Sequence, residues 1–139
     1  MQQAQTEISV STQGQGLYEV TRDVDTWVSR QGVDTGLLTV FCRHTSCSLT
    51  IQENADPDVQ RDMLEFFRRL VSENEPWYRH RAEGPDDMPA HIRTALTDVS
   101  VNIPVTGGRL GLGTWQGLYL FEHRRHPHHR KITLHLLGQ

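Results

Sequence analysis

The stretch Gly117–His123, "GLYLFEH", constrains this fold more than any other. Read as a strand it is apolar on both faces, with Leu118 and Leu120 on one and Tyr119 and Phe121 on the other. Such a strand must be covered on each side. "KITLHLL" follows across the loop "RRHPHHR", and the two read as an antiparallel pair. Alternation marks further strands: "TEISVST" with Ile8 and Val10, and "GLYEVT" as its hairpin partner after the Gly14–Gly16 turn. "GLLTVFC" and "CSLTIQ" flank "RHTS", and "VSVNIPV" aligns Val99, Val101, Ile103 and Val105 on one face. Pro104 has no N–H for a ladder, which puts that strand at an edge or near its end.

Helices fall between strand pairs. "RDVDTWVSRQG" spaces Val24, Trp27 and Val28 for a helix that Gly32 stops. In "ADPDVQRDMLEFFRRLV", Asp56 caps, Pro57 takes the first helical position, and Asp58 meets the positive end of the dipole. Val59, Met63, Phe66, Phe67 and Leu70 form an apolar stripe whose expected use is core packing. The polar loop "SENEPWYRHRAEGPDDMP" leads to a short helix, "AHIRTAL", with Asp86 or Asp87 as its cap. With no repeat, linker or low-complexity tract, the expectation is one α+β domain over residues 1–139, with two or three helices.

Composition narrows the partners. At 36% hydrophobic and 22% charged, the chain suits one small core, which burial in an oligomer would enlarge. No apolar run approaches the ~20 residues that cross a bilayer. The N-terminal "MQQAQTEISVSTQG" does not read as a signal peptide. A cytoplasmic protein is expected, with Cys42 and Cys47 as reduced packing thiols. A formal charge of −3 gives no general attraction to nucleic acid or anionic membrane, and neither is an expected partner. Of 14 basic residues only Lys131 is not Arg. The guanidinium fork suits phosphate or carboxylate, but a compositional bias toward Arg explains the count as well.

"GRLGLGTWQG" places four glycines around Trp115 and Gln116. Two phosphate-loop readings fail there. Thr114 stands where a Walker-type lysine must be, and Gln116 where a dinucleotide loop needs its third glycine. The glycines are expected to turn the chain between two strands, with Trp115 and Gln116 projecting at the end.

Eight histidines divide into groups. His44 lies in "RHTS" and His80 in the polar loop, while His91 follows Asp87 by four residues, on one helical face with it. A carboxylate so placed can orient a metal-binding imidazole or bind beside it, and zinc-like ions accept three protein ligands plus an open position. By spacing alone, exposed or core-satisfied histidines are the commoner outcome. His123, His126, His128 and His129 share a turn with Arg124, Arg125, Arg130 and Lys131. That turn is either an anion-binding arm or a solvated basic loop. The solvated reading is preferred for its histidines, and the arginines stay open. His135 points away from Ile132, Leu134 and Leu136, toward surface or interface. Glu53 and Asn54 sit beside a helix N-terminus, where structural and anion-binding uses are equally open. Ser46 beside His44 is too little for a nucleophile.

"SVNIPVTGGRLGLGTWQGL", with Ser100, Ile103, Val105, Gly108 and the run Gly113-Thr114-Trp115-Gln116, resembles the signature segment of the YjbQ family, described as secondary thiamine-phosphate synthases. "HTSCSLTIQENADPDV" and "YRHRAEGPDDMPAHI" resemble two further family blocks, and together the three span nearly the whole chain. Gln52 departs from a family Asn, and Cys47 from Ala or Thr. The resemblance implies a compact α+β fold with a mostly antiparallel mixed sheet, assembled as a homotrimer. It implies catalytic roles for His44, His80, His91 and Asp87, and a divalent cation, zinc or magnesium, held by the three histidines. Substrate contacts are implied from Asn54, Arg109, Thr114, Trp115, Gln116 and Arg130. The activity would join a pyrimidine pyrophosphate to a thiazole phosphate, with Arg109 or Arg130 meeting the pyrophosphate charge and Trp115 stacking on a heterocycle. Two alternatives use the same histidines. One is metal-dependent hydrolysis of a small phosphorylated molecule; the other is a non-catalytic trimeric module holding a metal or ligand.

Overall fold

Cover for the two faces of Gly117–His123 comes from a second sheet on one side and a helix on the other. The computed structural model describes residues 1–139. Its strands are β1 (Gln2–Thr12), β2 (Gly16–Glu19), β3 (Gly36–Cys42), β4 (Cys47–Glu53), β5 (Ser100–Thr106), β6 (Arg109–Leu110), β7 (Gln116–Glu122) and β8 (His128–Gly138). The helices are α1 (Thr21–Ser29), α2 (Pro57–Leu70) and α3 (Asp87–Leu96). One sheet has the order β1-β8-β3-β5-β6 and the other β2-β7-β4. The class is α+β with three helices. Every ladder is antiparallel, so the mixed sheet is replaced by two antiparallel ones.

The core lies between the sheets. Leu118 and Leu120 of β7 and Leu49 of β4 join Leu38 and Val40 of β3, Ile103 and Val105 of β5, and Ile132, Leu134 and Leu136 of β8. α1 adds Val24 and Val28. On the other face of β7, Phe121 meets Phe67 of α2 edge-on, with centroids 5.4 Å apart. Gln60 Nε2 donates to Tyr119 Oη at 3.2 Å beside it.

Two strand pairings expected from adjacency are replaced. β1 pairs with β8 and β2 with β7, so β1 and β2 form no hairpin and β7 and β8 are not partners. The reason is the core: chain neighbours lie in opposite sheets, which lets both turn apolar faces inward. The crossing between β1 and β2 depends on Gly14, at φ +116, where a Cβ would stand 2.8 Å from Arg125 O. In the glycine-rich segment, Gly107 and Gly108 at φ +59 and +74 turn β5 into β6. The residues after them carry the chain to the other sheet.

α2 is less buried than its stripe predicts. No residue of α2 is buried, and Phe66 and Leu70 are 58% and 55% exposed. Only three strands lie beneath the helix, so it rests on Phe67 and leaves the flank of the stripe outside. Its start is conventional: Asp56 Oδ1 accepts from Asp58 N at 2.9 Å. Asp56→Ala is expected to lower the unfolding free energy by ~1 kcal/mol, read from urea denaturation.

The outer face of the five-stranded sheet carries no helix, and Leu37, Phe41 and Leu137 are exposed there. His135 lies on that face, its Nδ1 2.9 Å from Gln5 Oε1. No helix is long and apolar enough to cross a membrane.

Candidate metal centre

α3 begins at Asp87, so Asp87 and His91 stand one turn apart on the same face. Asp86, at the N-cap position, makes no capping bond; its Oδ2 accepts instead from Arg124 Nε at 2.9 Å and Arg125 N at 3.0 Å. The preceding polar loop is stapled by its own side chains. Tyr78 Oη donates to Ser72 O at 2.7 Å, and Arg81 Nε to Tyr78 O at 2.8 Å. This brings His80 over the first turn of α3. His80 Nε2 lies 2.7 Å and His91 Nε2 3.0 Å from the same oxygen, Asp87 Oδ2. Ligand atoms of the three residues all lie within 4.8 Å of one another.

The protons decide what this cluster can do. His91 Nδ1 is 2.7 Å from Thr45 O. A carbonyl only accepts, so Nδ1 carries a proton and Nε2 of the neutral ring offers a lone pair. That lone pair faces a carboxylate oxygen that also only accepts. Either a second proton or a cation must lie between them. Asp87 is 1% exposed, and its other oxygen is held by Arg124 Nη1 at 2.8 Å. Burial opposes its charge, but the bond from His80 and the charge of Arg124 lead the effects that outweigh it, holding the carboxyl below the usual range.

His44 stands outside this set. Its Nε2 accepts from Lys131 N at 2.9 Å, which places the ring proton on Nδ1 and leaves no lone pair for a metal. Burial, then the charge of Arg130, holds its pKa below the ordinary imidazole value. His44 nonetheless lines the same open cleft of about 690 Å³ as His91, with Phe41, Thr45 and Thr94.

The other expected contacts lie elsewhere. Asn54 N donates to Trp115 O at 3.0 Å. Asn54 Nδ2 reaches Glu19 Oε2 at 3.4 Å, and Gly113 N donates to Gln116 Oε1 at 2.8 Å. Trp115 is 63% exposed, and Thr114 is exposed beside it. These residues gather where Glu53 pairs with Gln116, whereas Thr45 and His91 lie beyond Cys47 at the far end of the same ladder. The seven residues of β4 separate the two places by ~20 Å. Within one chain the tryptophan corner therefore does not wall the histidines. Arg109 is paired with Asp25 of α1, with Nε 2.8 Å from Oδ2. Arg130 is buried on Glu122, with Nε 2.7 Å from Oε1.

A family model described as "UPF0047 protein YjbQ-like" matches residues 6–139. The chain belongs to the YjbQ/UPF0047 family. It is 55% identical over 130 residues to a UPF0047 protein of Synechocystis sp., covering 94% of this chain and 88% of that one. To the UPF0047 protein YjbQ of Salmonella typhimurium it is 44% identical over 133 residues, covering 95% and 96%. Among solved structures, a hypothetical protein from Aeropyrum pernix K1 superposes with a TM-score of 0.88 at 34% identity, covering 98% of this chain and 99% of that one. A YjbQ/UPF0047 protein of Clostridium acetobutylicum gives 0.87 at 37%, covering 95% and 99%.

In this YjbQ/UPF0047 chain the basic turn is only partly solvated. His123 is 1% exposed, with Nε2 2.9 Å from Ser48 Oγ, so the solvated reading fails for it. Burial, then the charge of Arg93, pushes its pKa down to about 3. Arg124 clamps the acid pair Asp86–Asp87 and is the site residue that sequence reasoning left unplaced. The available signal was the pair of adjacent aspartates at a helix start, which calls for a cation. Thr45 acts through its carbonyl, which no residue type announces.

Proposed function

We propose that this protein is a metal-dependent enzyme acting on a small phosphorylated molecule, with a divalent cation held by His80, Asp87 and His91. One observation carries the reading: His91 Nε2, its ring proton committed to Thr45 O, faces Asp87 Oδ2 at 3.0 Å. Two imidazoles and one carboxylate suit zinc better than magnesium. Such an ion would supply a Lewis acid for a phosphoryl oxygen. Thr45 O fixes the His91 tautomer, and Arg124 turns Asp87 so that one oxygen faces the histidines. His44, protonated at Nδ1, is a donor on the wall of the same cleft, whose 690 Å³ suits a small substrate.

Two reactions fit that arrangement. Condensation to thiamine phosphate, the activity the family resemblance implies, needs a second substrate and an aromatic platform. With Trp115 ~20 Å away along β4, a second copy in the implied homotrimer would have to bring its tryptophan corner to the histidines. Hydrolysis needs one substrate and no second copy, and the geometry of the single chain favours it.

Protein purified without a tag is expected to carry about one zinc ion per chain. Chelation is expected to abolish cleavage across a panel of phosphate esters, and added zinc to restore it. Asp87→Asn and His91→Ala should each lower kcat/KM by ~100-fold or more. Wild-type turnover in both variants, or turnover untouched by chelation, would overturn the reading. Thiamine phosphate formed above a heat-killed control assigns condensation; ester cleavage without it assigns hydrolysis.

A further inference from the structure

α3 has a second polar face. Arg93 follows His91 by two residues, so it projects from the side of the helix away from Asp87 and His91. It is 4% exposed. Its Nη2 donates to Val71 O at 3.0 Å, while Nε has no hydrogen-bond partner and is the only buried side-chain nitrogen or oxygen in the chain left so. Arginine cannot shed its proton, and a buried cation without a carboxylate at hand is a costly arrangement. Burial accordingly pulls its pKa below the ordinary guanidinium value.

Arg93 borders a cleft of about 420 Å³ at the C-terminal end of α2. Arg68 and Arg69, from the last turn of α2, and Arg125, from the turn between β7 and β8, line it too. Glu73 is the single acidic residue of that lining. Arg68 and Arg69 share Glu65, and Arg125 pairs with Glu73. Four guanidinium groups thus converge with two carboxylates, and the one with no carboxylate is the one most deeply buried.

We propose that this cleft binds a phosphate-bearing small molecule, with Arg93 meeting the phosphate at the floor and Arg69 and Arg125 meeting it at the rim. A phosphate has enough acceptor oxygens to meet the guanidinium of Arg93 and rim donors at once. The volume suits a small ligand. A nucleic-acid strand is disfavoured, because no aromatic side chain lines the cleft for a base to stack on. The site does not depend on the metal reading. It uses the other face of α3 and shares no ligand atom with His80, Asp87 or His91.

Inorganic phosphate, titrated by calorimetry into untagged full-length protein at fixed ionic strength, tests this. Saturable binding is expected, at least about tenfold weaker in Arg93→Met, with part of the affinity kept in Arg93→Lys. Because Arg93→Met changes a buried residue and can unfold the chain, the surface double variant Arg69→Gln/Arg125→Gln is measured beside it. It should lose affinity to a similar extent while melting as wild type does. His91→Ala should bind phosphate normally, which separates this site from the metal centre. The proposal fails if the rim variant binds as wild type, if phosphate binds no better than chloride, or if binding disappears only in His91→Ala. Tighter Arg93-dependent binding of citrate than of phosphate would reject the ligand class.

Discussion

Glu122→Ala is expected to cost ~3–5 kcal/mol of folding stability, because it strands a buried cation. Glu122 is fully buried and Arg130 is 4% exposed. The carboxylate accepts from Arg130 Nε at 2.7 Å, from Thr12 Oγ1 at 2.7 Å, and from the backbone N–H groups of His123 and Arg124 at 3.1 and 3.2 Å. Arg130 Nη2 also donates to Ser46 Oγ at 3.0 Å. Removing the acid leaves the buried guanidinium with only the carbonyl and hydroxyl of Ser46. The double variant Glu122→Met/Arg130→Met removes both charges and should lose much less than Glu122→Ala. Urea unfolding at pH 7 measures both. A loss below ~1 kcal/mol in Glu122→Ala would mean that Arg130 is not committed to this pair and is free to meet a ligand's charge.

The same pair gives the stability a pH dependence. Burial works to raise the Glu122 pKa, but the bonds from Arg130 and Thr12 outweigh it and leave it below the ordinary range. A carboxyl lowered in the fold stabilises in full above its unfolded value near ~4.3, and that contribution is lost as pH falls through the folded value. His123 acts earlier. With its folded pKa pushed down to about 3, the neutral ring stabilises the fold above the unfolded value and loses that contribution as pH falls. Between ~6.5 and the folded value the unfolded chain binds the extra proton. Acid sensitivity should therefore begin below ~6.5, with the carboxyl adding to it at lower pH.

What the sequence made legible was local. The period of β1, the cap of α2 and the one-turn spacing of Asp87 and His91 are short-range patterns, and each appears in the fold as read. Pairings were not legible, because "TEISVST" and "GLYEVT" carry the same alternation whether they face each other or face partners far along the chain. His123 looked like a member of a solvated turn and Arg130 stayed open between solvent and a ligand, since polar character in a sequence does not reveal a buried partner. Glu122 inside an apolar strand was the available clue: an acid there needs a cation, and Arg130 is the nearest in sequence that β8 can turn inward. The convergence of His80 on α3 depends on loop bonds from Tyr78 and Arg81, which no periodicity encodes. Nothing in the sequence marks Arg93, and only its burial sets it apart.

Leu120→Ala and Phe121→Ala should each be severe, at ~2–5 and ~3–5 kcal/mol, although the two side chains point in opposite directions. On a strand with one wet face, one of two neighbours is normally tolerant. β8 supplies that contrast within the same protein: Leu136 is fully buried and Leu137 is 43% exposed on the open outer face. Leu136→Ala should cost about as much as Leu120→Ala, and Leu137→Ala ~1 kcal/mol or less. In β7 the pattern breaks because Leu120 sits between the sheets while Phe121, 1% exposed, is capped from outside by Phe67 at 5.4 Å and by the His123 ring at 4.4 Å. A small loss in Phe121→Ala would mean that α2 does not hold the outer face of the three-stranded sheet. Because α2 buries none of its residues fully, Phe121 is its main anchor, and the same substitution should loosen the helix. Hydrogen exchange across Pro57–Leu70 should then speed up in Phe121→Ala beyond the change seen in Leu120→Ala at matched global stability.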